Sequence, residues 1–134
     1  MKKENCIFCK IAQGEIPCNK VHEDEKFLAF LDISPVAKGH TLIIPKEHII
    51  CMQDADNKTI EDIFKLAKKL MLALKIGLNC DFVKLSIVGK DIPHFHIHLI
   101  PSYIKEKIKK ERKVVKYKKK EEEEIIIKKI VSKL

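Results

Sequence analysis

Residues 94–100 read His-Phe-His-Ile-His-Leu-Ile, so three of the chain's six histidines recur at a spacing of two. On an extended strand, alternate side chains share a face. The spacing therefore predicts a strand over 94–100, started by Pro93. His94, His96 and His98 would form a row on one side, with Phe95, Ile97 and Leu99 turned into a core on the other. Each imidazole has two ring nitrogens to satisfy, so three in register make costly packing and point to chemistry on phosphate or metal. A neutral ring nitrogen attacks phosphorus at neutral pH with no separate base. Attack on an α-phosphate would give a nucleotidyl-histidine phosphoramidate, which water then hydrolyses. Phosphoryl transfer rests mainly on positioning and charge stabilisation, so flanking imidazoles and backbone N–H groups could suffice without magnesium. Spacing alone does not say which histidine is the nucleophile.

A second cluster stands near the N-terminus. Cys6-Ile7-Phe8-Cys9 is a CxxC, which can be half of a zinc site, a redox pair or two unligated thiols. A redox pair needs a thioredoxin-like βαβ context, which the surrounding pattern lacks. Zinc needs two further ligands. Cys18, Cys51 and Cys80 have no visible partner pattern, and His22 reads as a surface residue on a polar strand edge.

The elements that must position these groups are legible from periodicity. Residues 7–13 read as a short helix ended by Gly14. Strands are expected over 21–23, 27–31, 41–44 and 82–88, with the histidine strand as the fifth. The turn at 24–26 is polar, Pro45 stops the third strand, and residues 32–38 form a loop carrying Ser34-Pro35. Between 57 and 78, apolar residues from Ile60 to Leu78 repeat at i, i+3 and i+4, the mark of one long amphipathic helix that Asp56 or Asn57 can cap. Short turns between neighbouring strands suggest an antiparallel meander. The fold class is α+β: a five-stranded antiparallel sheet with one long helix packed on it, plus a C-terminal helix. No internal repeat is visible.

Charge divides the chain. The 134 residues carry a formal +8, but residues 1–100 hold 14 Lys/Arg against 13 Asp/Glu, whereas residues 101–134 hold 13 against 6. A general polyanion-binding body is thus not supported, and the basicity belongs to the tail. Organisation is read as 1–104, a catalytic domain, and 105–134, a basic linker with an amphipathic helix over 121–134. That helix has glutamates at its start and lysines at its end, which complements its dipole. Ile126 or Ile127, Ile130, Val131 and Leu134 form its apolar stripe. It reads as a docking helix on the body or a partner subunit. Nucleic acid or acidic lipid on the Lys-rich linker is the alternative. No apolar run is long enough for a signal peptide or a membrane span. Five cysteines, an odd number, fit reduced thiols in the cytoplasm.

The triad resembles the signature of the histidine-triad (HIT) superfamily, His-φ-His-φ-His-φ-φ with φ apolar, and fits it at every position. Residues 6–48, from Cys6-Ile7-Phe8-Cys9 through Phe30-Leu31-Asp32-Ile33-Ser34-Pro35 to Gly39-His40-Thr41-Leu42-Ile43-Ile44-Pro45-Lys46-Glu47-His48, resemble the N-terminal half of a Hint-type member. The likeness covers roughly residues 4–103 and makes the expected fold HIT-like. It implies that His96 is the nucleophile, that His98 contacts the phosphate and helps place the leaving group, and that His40 neighbours the triad. It implies that Asp32 holds the ribose hydroxyls and that Phe8, Phe30, Leu31 and Ile33 surround the base, although core packing serves these four apolar residues equally well. Where most Hint members carry a longer loop with Asn and Gly-Gln-Ser/Thr-Val, this chain has only residues 86–93. Gly89 still matches, Lys90 stands for Gln and could bring a cation to the phosphate, and Ile92 closes the candidate substrate set. Asp91 is expected to point away from phosphate. In branches that keep the CxxC, His48 and His94 resemble the remaining ligands, giving a closed structural zinc site of Cys6, Cys9, His48 and His94.

The implied activity is a purine nucleoside phosphoramidate hydrolase or nucleotidyl transferase that releases AMP. Alternatives are a hydrolase of dinucleoside polyphosphates or nucleotidylated ends from another HIT branch, and a low-turnover nucleotide-binding module. The resemblance also implies a homodimer built on the long helix and an edge strand.

Overall fold

The computed structural model describes residues 3–104, 115–117 and 120–134. The Lys-rich linker, to which nucleic-acid binding was assigned as the alternative, lies almost wholly outside them. Helix α1 spans Ile7–Ala12, with Cys6 as its N-cap. Strands β1 (Lys20–Glu23) and β2 (Phe27–Leu31) follow. Their turn is set by Asp24, whose Oδ1 accepts hydrogen bonds of 2.8 Å from the N–H groups of Lys26 and Phe27. Strand β3 is Thr41–Pro45. Helix α2, Asn57–Leu78, is capped by Asp56, whose carboxylate accepts from Thr59 N–H, and ends at a left-handed Asn79. Strands β4 (Phe82–Ser86) and β5 (Ile97–Ser102) and helix α3 (Lys120–Val131) complete the order. No described helix is long and apolar enough to cross a membrane.

The sheet is antiparallel in the order β1-β2-β3-β5-β4. It is not the expected meander. Helix α2 carries the chain across the sheet, β4 takes the edge, and β5 folds back between β4 and β3. The fifth strand also begins later than expected. Its pairing with β3 runs only from Thr41↔Leu99 to Ile43↔Ile97. Before Ile97 the backbone turns to other partners: His94 N–H donates to Ile92 O (2.8 Å) and Phe95 N–H to Ile49 O (2.6 Å). Pro45, at the end of β3, has no N–H with which to extend the ladder. At its far end β5 runs past Ile100 to Ser102, and β4 stops at Ser86 instead of 88.

Side chains on β2 and β3 are buried on both faces. Phe27, Ala29, Leu31 and Ile43, with Ile97 and Leu99 of β5, pack beneath α2 residues Ile63, Leu70 and Leu74. On the opposite face Leu28, Phe30, Leu42 and Ile44 pack against Cys6, Phe8 and Cys9 around α1. Helix α3 lies on α2 and β1, adding Ile126 and Ile130 to the first core. Of the expected stripe, Val131 and Leu134 remain exposed, because the buried face runs along 126 and 130. The two helices approach closely at Gly77, where a Cβ would run into the Lys129 carbonyl oxygen. Gly39 is a second constrained position: its φ is +89°, and a Cβ there would strike Leu78.

Candidate active site and metal cluster

The polar groups collect on the α1 face of the sheet. His98 projects from β5, opposite Leu42 of β3 and Ser86 of β4. His96 stands just before the strand, with ring centroids 4.9 Å from His98. The row of imidazoles therefore survives although only its last member lies in the ladder. Phe95, Ile97 and Leu99 are buried in the core as the alternation requires.

Hydrogen bonds fix which nitrogen of each ring carries a proton. The Nδ1–H of His96 donates to the His94 carbonyl oxygen at 2.7 Å, which leaves a lone pair on Nε2. His40 immediately precedes β3, and its Nδ1 accepts from Val36 N–H at 3.1 Å. A neutral His40 must then carry its proton on Nε2, which faces His98 Nδ1 at 2.9 Å. His98 in turn holds its proton on Nε2. Burial, then the neighbouring His96, pushes the His98 pKa down and favours the neutral ring. Asp32 completes the group, with Oδ2 3.5 Å from His40 Nε2.

A cleft of about 470 Å³ opens beside these rings. Its lining includes Phe8, Phe30, Asp32, Ile33, Ile92, His96 and His98 from the expected set. Phe8 stands edge-on to both Phe30 and His96. Leu31 is not in the lining. It alternates to the other face of β2 and packs under α2. Gly89 and Lys90 do not line the cleft either; Gly89 borders a separate hollow with Cys51 and Phe95. Asp91, expected to point away, instead lines the cleft, where it remains exposed to water. Ile7, Ile11, Ser34, Leu42 and Val88 also line the cleft and were not foreseen. The i, i+4 pair Ile7/Ile11 was the available signal, since it marks one face of α1.

The second cluster lies against the first. His94 Nδ1 is 3.3 Å from Cys6 Sγ and 3.6 Å from Cys9 Sγ, and His48 Nδ1 is 3.3 Å from Cys9 Sγ. The four ligand atoms lie within 4.8 Å of one another. A tetrahedral zinc with ordinary Zn–S and Zn–N bonds separates S and N by about 3.6 Å, so the residues fit that ion. His94 donates its Nε2–H to Pro45 O at 2.8 Å, which directs the Nδ1 lone pair at the thiols. Burial pushes the His94 pKa down to about 4 and lowers that of His48. Burial also raises that of the Cys9 thiol. The set is closed, with no open position for substrate, as in a structural site.

A family model described as HIT domain matches residues 13–105. The adenosine 5'-monophosphoramidase hnt1 of Schizosaccharomyces pombe is 43% identical over 99 residues, which are 73% of this chain and 74% of the yeast protein. Among solved structures, a HIT-like protein from Bartonella henselae superposes with a TM-score of 0.86 at 34% identity, covering 98% of each chain. A zinc-bound histidine triad family protein from Mycobacterium smegmatis gives 0.83 at 28%, covering 96% of this chain and 94% of that one.

Proposed function

The chain belongs to the HIT family, and on that premise we propose that it hydrolyses purine nucleoside phosphoramidates to AMP through a nucleotidyl-histidine. One observation carries the reading: two adjacent imidazoles in an apolar cleft have complementary proton placements. His96 offers a bare Nε2, and His98 an Nε2–H. The His96 lone pair attacks the α-phosphorus and the P–N bond to the leaving amine breaks. His98 Nε2–H hydrogen-bonds the leaving nitrogen, which departs as the amine with a proton drawn from solvent. Water then attacks phosphorus, expels His96 and returns that proton to solvent as AMP forms. Asp32 is assigned to the ribose hydroxyls, and Phe8, Phe30 and Ile33 to the base, with Ile92 beside them. Charge at phosphorus is met by imidazoles and backbone N–H groups, so magnesium is assigned no step. The likeness to a named phosphoramidase supports this substrate class.

Cys6, Cys9, His48 and His94 are assigned to a structural zinc. Bound there, the ion would supply folding energy, and the four side chains would lock α1 against the triad segment. The described free thiols fit a reducing, cytoplasmic setting. A homodimer is also proposed: among the described residues β4 is an outer strand of the sheet, and Phe82 on it and Leu72 and Ile76 on α2 are 47%, 53% and 60% exposed. Light scattering that reports a monomer at micromolar concentration would refute the dimer.

The test of function is to incubate the protein with adenosine phosphoramidate without added metal. AMP release supports the reading. Cleavage of diadenosine polyphosphates alone, or binding of AMP without turnover, overturns it.

A further inference from the structure

The loop between β2 and β3 begins at Asp32 and ends at His40, joined by Asp32 N–H donating to His40 O at 2.9 Å. Its internal bond from Val36 N–H to His40 Nδ1 is what keeps the His40 proton on Nε2, facing His98. That bond depends on where the backbone at Val36 sits. Within the loop, Asp32 Oδ1 accepts from Ser34 N–H at 2.8 Å and Ala37 O from His40 N–H at 3.0 Å, while Ile33 is 84% exposed. Further anchors come from the C-terminal segment. Val115 N–H donates to Pro35 O at 2.6 Å, and Gly39 N–H donates to Tyr117 Oη at 3.0 Å. Lys38 pairs with Glu122 at 2.5 Å. These three contacts bracket Val36 on both sides. The tyrosine ring is half-buried against the main core, so its hydroxyl is held in place.

We propose that Tyr117 is a positioning residue for the reaction: by holding Gly39, it keeps Val36 N–H on His40 Nδ1 and so keeps His98 a proton donor. The proposal rests on the hydrolase reading for its kinetic consequence but not for its structural one. With no Cβ, Gly39 can adopt other backbone geometries, so its place depends on the bond its N–H makes to Tyr117 Oη. Loss of the phenol oxygen leaves that N–H without its acceptor and lets the loop move toward water. The displacement is centred on residues 36–39, while Asp32 N–H stays on His40 O at the base of the loop, so the leaving-group step is affected ahead of the ribose and base contacts.

The experiment compares Tyr117→Phe, Ile63→Val and the unaltered full chain. Ile63 is fully buried in the core beneath α2, makes none of the hydrogen bonds to the loop and does not line the cleft, so its substitution reports simple destabilisation. Tyr117→Phe is expected to lower kcat for adenosine phosphoramidate about tenfold, as one lost buried hydrogen bond allows, with KM unchanged. The nitrogen resonances of the His40 ring should report a mixture of tautomers in place of the single Nε2–H form. Ile63→Val should lower the melting temperature and leave kcat and the tautomer alone. Unchanged kcat and tautomer in Tyr117→Phe overturn the proposal, as does a loss of kcat in both variants that follows their melting. If the unaltered protein shows no turnover, the hydrolase reading fails, and the His40 tautomer alone still decides whether Tyr117 positions it.

Discussion

The backbone oxygen of His94 receives the Nδ1–H of His96 at 2.7 Å. The same residue points its ring at Cys6 and Cys9. His94 thus belongs to the candidate metal cluster by its side chain and to the candidate active site by its main chain. Whatever fixes the ring also fixes the oxygen that orients His96, the proposed nucleophile.

His96→Ala should lose nearly all turnover yet retain AMP binding, because Asp32 and the apolar walls of the cleft remain. Single-turnover kinetics and calorimetric titration with AMP separate the two. His98→Ala should fall by roughly 10²–10⁴ in kcat, the usual range for one general acid–base group. An active His96→Ala protein would refute the nucleophile assignment.

Purified protein should carry about one zinc per chain, as a four-ligand site holds one ion. Cys9→Ser should lower both metal content and melting temperature, because binding and folding are linked. It should also slow turnover, through His94. Elemental analysis and thermal melting check the first two. Metal-free protein with unchanged melting would count against the site.

Stability should depend on acid in a defined window. In the metal-free protein burial holds the folded His94 pKa at about 4, whereas in the unfolded chain it is near 6.5. The unfolded state therefore takes up its proton first as pH falls. The stabilisation is fully present above about pH 6.5 and is lost progressively toward pH 4, on the order of 3 kcal/mol in all. Zinc should leave in the same window, since its ligand must be unprotonated. Urea unfolding at several pH values would measure the slope, and a flat profile between 6.5 and 4 would contradict it.

Gly77→Ala inverts a familiar rule. In an exposed helix interior the change gains about 1 kcal/mol of helix propensity. Here the new Cβ meets the Lys129 carbonyl oxygen of α3, which is backbone and cannot rotate away. The variant should melt below the unaltered protein, and amide exchange in 120–131 should accelerate. A higher melting temperature would mean that α3 does not rest on α2 in solution.

Local pattern revealed the long helix to both its ends, because its apolar repeat and the Asp56 cap are both local signals. Strand β2 was equally plain. Strand order was not, because it depends on a crossover that places β5 beside β3, a long-range choice with no local mark. The late start of β5 was hidden for a related reason: His94 and His96 alternate like strand residues, but Pro45 and the loop after β3 give them no ladder. The cleft was half visible. Motif residues announced themselves, whereas Leu42 and Val88 line it only because the tertiary fold brings β3 and the segment after β4 to the same cleft. One clue was available: a run of five apolar residues in β2 leaves neither face for water.

That two-sided burial makes the sheet a partition. Leu31 and Ile43 look toward the helices, while Phe30 and Leu42, their immediate neighbours in sequence, look toward the cleft or its wall. Substitutions made to raise heat tolerance on one side need not disturb the chemistry on the other, so the two properties can be selected almost independently. Coupling between them is confined to the places where chain passes around the margin, chiefly Gly39 with His40 and the segment 93–96. An engineer altering substrate preference would leave those margins untouched and vary the wall facing the cleft.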